Sequence, residues 1–94
     1  MVDEEFEWND KKAALNFKKH GVGFEEARTV FRDPFAIELY DDREDYGEER
    51  YILIGMSEND ILVVVHTERN ERNRIISARK AELNERRHYH ETNQ

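Results

Sequence analysis

The chain has 94 residues, no cysteine, and a formal charge of −7 from 22 acidic and 15 basic side chains. That length suits one domain, expected over residues 1–94, and the composition excludes a disulfide framework or a cysteine-based metal site. The acidic balance also excludes a general nucleic-acid coat, because long-range attraction for a polyanion is missing.

The opening MVDEEFEWND is acidic and lacks the apolar stretch of a signal peptide. No apolar run approaches the roughly 18 residues that span a bilayer, so a cytoplasmic protein without membrane contact is expected. Phe6-Glu7-Trp8 reads as a short strand or an anchoring arm. Asn9 or Asp10 can cap a helix running to about His20, with Ala13, Ala14 and Phe17 as its apolar face and Gly21 ending it. Gly23 opens a second helix in which Phe24, Ala27 and Phe31 follow helical spacing, and Asp33-Pro34 stops it.

The period then changes. Ala36–Tyr40 is a short strand, Asp41–Gly47 a polar loop, and Arg50–Met56 a second strand. After a turn at 57–60, the β-branched run from Ile61 to Thr67 reads as a strand buried on both faces. Residues 70–73 make the next turn, Arg74–Ser77 the last strand, and Ser77 caps a final helix through about Glu91. Two helices, a meander of about four antiparallel strands and one C-terminal helix define an α+β fold. The final helix carries few apolar residues, so either pairs such as Glu82–Arg86 prop it or it awaits a partner.

Positive charge is unevenly placed. Residues 1–63 hold 17 acidic and 8 basic side chains, a net of −9, whereas residues 64–94 hold 5 and 7, a net of +2. Arg69, Arg72, Arg74, Arg79 and Lys80 crowd around the turn after the apolar run. Pairing about that turn is expected to bring Arg69 opposite Arg74, which is unfavourable unless an anion or a carboxylate lies between them. Glu68 and Glu71 are the plain candidates for that carboxylate, and a phosphate is the other. Arg79 and Lys80, read as opening the last helix, oppose its dipole and call for a carboxylate partner or a bound anion. RNA cleavage through a 2′-hydroxyl needs a proton acceptor, cations around the phosphorus and a proton donor. Glu49, His66, Lys19 or His20, and the arginines supply those types. The plain readings are a solvated start to the strand at Glu48-Glu49-Arg50 and a packed histidine at His66.

Several stretches taken together resemble the BrnT family of toxins from type II toxin–antitoxin systems. They are Phe6-Glu7-Trp8-Asn9, Lys19-His20-Gly21-Val22-Gly23-Phe24-Glu25-Glu26-Ala27, Val30-Phe31-Arg32-Asp33-Pro34, Glu48-Glu49-Arg50-Tyr51, Ile54-Gly55-Met56-Ser57, Val63-Val64-Val65-His66-Thr67-Glu68-Arg69, Ile75-Ile76-Ser77-Ala78-Arg79-Lys80-Ala81 and Glu85-Arg86-Arg87. The resemblance runs over about residues 6–89. It implies a RelE-like fold and a metal-independent, cofactor-free endoribonuclease that inhibits translation. It also implies neutralisation by a ribbon-helix-helix (BrnA-like) antitoxin, with operator DNA bound only through the complex.

Carried over by motif, the resemblance implies functional roles for Lys19, Arg50 and Arg79, with Glu49 as the acidic residue of its motif. His66 is added to complete the expected catalytic set, and Arg69, Arg74 and Lys80, read from the cluster of positive charge, are expected to bind phosphate. Many relatives have a histidine in the loop before Glu-Glu-Arg, where this chain has Arg43-Glu44-Asp45-Tyr46-Gly47. The general base is therefore open among Glu49, His20 and His66. The competing reading is a non-catalytic module that docks a charged partner through the same basic residues. Direct DNA binding is disfavoured, since neither a basic recognition helix nor a strongly basic face is visible.

Overall fold

A computed structural model describes residues 1–93. Helix α1, Asp10–His20, begins where the Asn9 side chain accepts the Lys12 N–H at 3.0 Å. It ends at Gly21, whose φ of 70° is the left-handed geometry that glycine adopts without a β-carbon clash. Helix α2, Phe24–Ala27, tightens into a 3-10 turn over Arg28–Arg32 and stops at Asp33, which turns extended ahead of Pro34. Strands β1 (Phe6–Glu7), β2 (Ile37–Tyr40), β3 (Tyr51–Met56), β4 (Ile61–Arg69) and β5 (Arg72–Lys80) precede helix α3, Leu83–Thr92.

The fold is α+β, as expected, but the sheet has five strands in the order β1-β5-β4-β3-β2. The fifth is Phe6–Glu7, which pairs parallel to β5 through Phe6–Asn73 and Glu7–Arg74. Two further expectations are corrected. Asn70 and Glu71, at φ 55° and 63°, form a tight turn alone, so Arg69 lies opposite Arg72 and Arg74 lies opposite Thr67. Strand β5 also continues past Ser77, because Ile75 and Ile76 suit a strand and pairing holds until the Ala81 N–H bonds the Ile61 carbonyl at 3.0 Å. Ser77 therefore caps nothing. The cap of α3 is Glu82, in a reciprocal box with Glu85.

Both faces of β4 are buried, as its unbroken apolar run implies. On one face Leu62 and Val64 join Phe6, Trp8, Val22, Phe24, Ala27, Val30, Leu53, Ile75 and Ala78 beneath α1 and α2. On the other, Ile54, Ile61 and Val63 join Ala81 and Tyr89 of α3. Helix α3 does rely on polar ties, though not on Glu82–Arg86. The Tyr89 hydroxyl donates to Asp33 at 2.6 Å, Arg86 pairs with Asp60 at 2.7 Å, and Arg79 pairs with Glu85. Burial, together with the Asp33 carboxylate, pushes the Tyr89 phenol up to about 12, so it stays a donor across the physiological range.

The inward residue of α1 is Asn16 rather than Phe17, which is 59% exposed. Its side-chain amide donates to the carbonyls of Val22 (3.1 Å) and Ala78 (2.8 Å) and accepts from the Ala78 N–H (3.1 Å). A side chain thus occupies the edge of β5 where β1 has ended.

Candidate active site

Directly opposed residues in a sheet share a face. The pairs Ile52–Val65, Val65–Ser77 and Val63–Arg79 therefore put Ile52, Val63, Val65, Ser77 and Arg79 together. Helix α3 covers only part of this face. Next to it is a cavity of about 280 Å³, floored by Ile52, Val63, Val65, Ser77 and Ala78 and rimmed by His20, Arg43, Arg79 and Glu85. Four separate segments supply the rim: the end of α1, the loop after β2, β5 and α3.

The Asn16 clamp sets the geometry. By fixing α1 to Ala78, it holds His20, one turn further on, beside Ser77 and Arg79. A second groove, of about 250 Å³, runs between α1 and β5 past Lys12, Leu15, Lys19 and Ile76. It shares His20 and Ser77 with the cavity. Together they form a path across β5 with basic groups at intervals and apolar surface between them.

The two arginines of the cavity are held differently. Arg43 makes a two-pronged contact with Asp41, Nε and Nη2 each at 2.8 Å, which leaves Nη1 unused by Asp41, and the Tyr46 hydroxyl lies near the same guanidinium. The Asp41 side chain is 0% exposed, and the Arg43 guanidinium holds its pKa down at about 2. Arg79 grips Glu85 through Nη1 (2.7 Å) and Nη2 (2.8 Å), at side-chain exposures of 34% and 20%. Each shifts the other in the usual sense: Glu85 raises Arg79, and Arg79 lowers Glu85. Nearby Arg43 works against the Arg79 charge, as two cations beside one cavity must.

The remaining expected site residues divide. Lys19 lines the groove. Arg50 pairs with Glu48 at 3.0 Å, and its guanidinium lies 4.1 Å from the centre of the Tyr46 ring. Arg69 reaches the same Glu48 at 3.4 Å, and Arg74 pairs with buried Glu7 at 2.8 Å. Arg74 shares a face with Thr67 and hence with the cavity floor, but does not line the cavity. Lys80 follows Arg79 on a strand, so it points to the opposite face. The charge opposing a helix dipole at Arg79 and Lys80 does not arise, since neither residue is on a helix, yet Arg79 does have the carboxylate partner considered above.

Glu49 and His66 are not brought to the cavity. Glu49 accepts from the Tyr51 hydroxyl at 3.1 Å and borders a separate acidic hollow with Glu48, Tyr51, Thr67 and Glu68. His66 is 2% exposed and packs between Phe31 (ring centres 4.8 Å) and Tyr51 (5.7 Å). Its Nε2 lies 3.4 Å from Glu38, but the approach does not meet hydrogen-bond geometry and both ring nitrogens are unpartnered. Burial pushes its pKa down to about 4, which keeps it neutral at pH 7. Arg43 and Glu85 on the rim, and Asn16 behind it, are the residues that sequence reasoning missed. Only the position of Arg43, in the loop where relatives carry a histidine, hinted at it.

The open face of the sheet thus gathers two guanidinium groups, an imidazole and a carboxylate around one cavity, with the Lys19 ammonium in the adjoining groove. The sequence matches the family described as ribonuclease toxin, BrnT, of type II toxin-antitoxin system, over residues 8–85, and the chain belongs to that family. It is thus a toxin-antitoxin ribonuclease toxin, and a toxin of this type works against an antitoxin partner. No curated protein matches the chain. Among the described residues, no helix is long and apolar enough to cross a membrane.

Proposed function

We propose that this toxin is a cytoplasmic, metal-independent endoribonuclease of RelE-like fold that inhibits translation by cutting RNA within the cavity and groove. The observation that carries the reading is the meeting of His20, Arg43 and Arg79 at one cavity, with Lys19 in the adjoining groove. A strand laid along the groove brings a phosphate between the two arginines. His20 takes the 2′-hydroxyl proton as the 2′-oxygen attacks phosphorus, and the 5′-oxygen leaves on the opposite side and takes a proton from water, giving a 2′,3′-cyclic phosphate and a free 5′-hydroxyl. Arg43 and Arg79 stabilise the extra charge on the five-coordinate phosphorus, and Lys19 holds the neighbouring backbone. Glu49, Arg50, Arg69, Arg74, Lys80 and His66 lie outside that cavity. In this reading they support the fold or the rim, and the general-base role goes to His20.

The partner we propose is a ribbon-helix-helix antitoxin, with operator DNA bound only by the complex. The test is purified protein with RNA in excess EDTA, alongside growth arrest on induced expression. Wild type should cut and arrest growth, while Arg79→Ala and His20→Ala should each lose most cleavage, by at least about 10²-fold. If wild type cuts nothing at micromolar concentration, the nuclease reading fails. One observation favours a second reading, a docking module without catalysis: Arg43, Arg50, Arg69, Arg74 and Arg79 all pair with carboxylates. That reading predicts tight antitoxin binding with no cleavage under any condition.

A further inference from the structure

The two edges of the sheet are treated differently. At the β1 end, Val2 folds back to bridge Glu7, and beyond β1 the Asn16 amide occupies the edge of β5. At the other end lies β2, a four-residue outer strand that carries one charge, Glu38, but no proline, lysine or bulge, so its edge is only partly protected from recruiting another chain. Its Leu39 and Tyr40 are 42% and 58% exposed, and the preceding Phe35 is 59% exposed.

The register identifies the free groups. The Asp41 N–H bonds the Arg50 carbonyl at 2.8 Å, and Ile37–Ile54 and Leu39–Ile52 are pairs of the same kind. Residues 37, 39 and 41 therefore direct their backbone groups towards β3. Glu38 and Tyr40 direct theirs outward, to no backbone partner among the described residues.

Charge selects the occupant. Residues 38–49 carry seven carboxylates and one arginine, and that arginine is bound to Asp41. A second copy of this chain would bring two such segments together, which like-charge repulsion opposes. An extended segment bearing Lys or Arg meets the free N–H and C=O groups, the apolar side chains and the carboxylates at once. We infer that β2 is the docking edge for the antitoxin, which adds a basic, extended segment to the sheet as a sixth strand. Its placement also has a consequence for inhibition, because the chain runs from β2 through Asp41 straight to Arg43 at the cavity rim. The inference needs only the antitoxin of the family and not the nuclease chemistry.

The test is residue-by-residue amide hydrogen exchange on the toxin, free and in complex with its cognate antitoxin. The Glu38 and Tyr40 amides should exchange on the order of a hundredfold more slowly in the complex, while those of Ile37 and Leu39, already bonded to β3, change little. Glu38→Pro removes an outward donor without touching a bond to β3, and should weaken the complex at least about tenfold. Replacing Asp42 and Glu44 by Lys should weaken it similarly at low salt and less at high salt. Unchanged exchange at Glu38 and Tyr40 in a formed complex overturns the inference, as does failure of toxin and antitoxin to associate at micromolar concentration. Slowing in the free toxin that grows with its own concentration would replace the antitoxin by a second copy. None of these readouts uses cleavage, so loss of the nuclease reading leaves the outcome interpretable.

Discussion

Replacing Glu85 by Gln tests whether the cavity binds phosphate by exchange. The substitution removes one negative charge from a carboxylate that touches Arg79 through two bonds, at 2.7 and 2.8 Å. Gln keeps an oxygen for the Glu82 N–H, now bonded at 2.8 Å, so the cap of α3 survives. Two unit charges about 4 Å apart interact by about 1 kcal/mol in water and about 4 kcal/mol at an effective dielectric of 20. With Arg79 and Glu85 at 34% and 20% side-chain exposure, solvent screening places the effect toward the lower figure. About 1.4 kcal/mol of released attraction corresponds to roughly tenfold tighter binding of a single RNA strand. The logarithmic salt slope should steepen by about 0.7, as for one further phosphate contact on a single strand. Fluorescence anisotropy with a 2′-O-methyl oligoribonucleotide, which lacks the attacking hydroxyl, measures this without turnover. Adding Arg79→Ala to Glu85→Gln should cancel the gain, because the two groups act on one contact. Unchanged or weaker binding by a folded Glu85→Gln protein refutes the exchange, and would mean that Glu85 only positions Arg79.

Asn16→Ala leaves the Ala78 N–H and the carbonyls of Ala78 and Val22 without their partner, and should cost about 3 kcal/mol in urea unfolding at pH 7. A loss below about 1 kcal/mol would show that the clamp is dispensable. Gly55→Ala places a β-carbon 2.9 Å from both Ala36 Cβ and Val30 Cγ1 and 3.1 Å from an Asp33 oxygen. It should cost about 1–3 kcal/mol and lower the melting temperature by about 4–8 °C for each of these. His66 titrates at about 4 when folded against 6.5 for the free side chain, so between those values the unfolded chain binds more protons and stability rises with pH. Lowering the pH from 7 to 4.5 should therefore cost up to about 3 kcal/mol from this residue. His66→Phe should remove that part of the dependence in paired urea titrations, and an unchanged pH profile would count against it.

The legible parts of the chain were those in which local chemistry decides. Asn9 and Gly21 bound α1 because a cap and a left-handed residue act within one turn. The unbroken run from Ile61 fixed a strand buried on both faces. Where long-range pairing decides, reading failed. Ser77-Ala78-Arg79-Lys80 resembles a helix start, but strand pairing to Leu62 and Val63 holds it extended. Nothing local marks Asn16 for burial, and only the free edge of β5 explains it. Arg43 was hidden in a polar loop, because nothing local says that the loop folds over the sheet beside Arg79. Glu49 and His66 stand near the right motifs, but they border another hollow or lie sealed beneath aromatic rings.

In the proposed reading, the pairing of seven arginines with carboxylates accounts for how an acidic protein keeps a site for RNA. Unpaired guanidinium groups would bind any polyanion; paired ones are quiet until a phosphate in the right place competes with the carboxylate. The two arginines of the cavity then have separate tasks. On that reading Asp41, fully buried and bonded through both oxygens, keeps hold of the more exposed Arg43, and Arg43 meets the phosphate with the Nη1 that Asp41 does not use. Glu85 lies on α3, a helix tied down mainly by Tyr89, Arg86 and Arg79, and keeps one fifth of its side chain in water. It is the carboxylate that can yield. Arg43 therefore provides a fixed donor and Arg79 an exchangeable one. On this account, discrimination between RNA and other anions lies in how well a strand threaded past Lys19 and His20 reaches both arginines together.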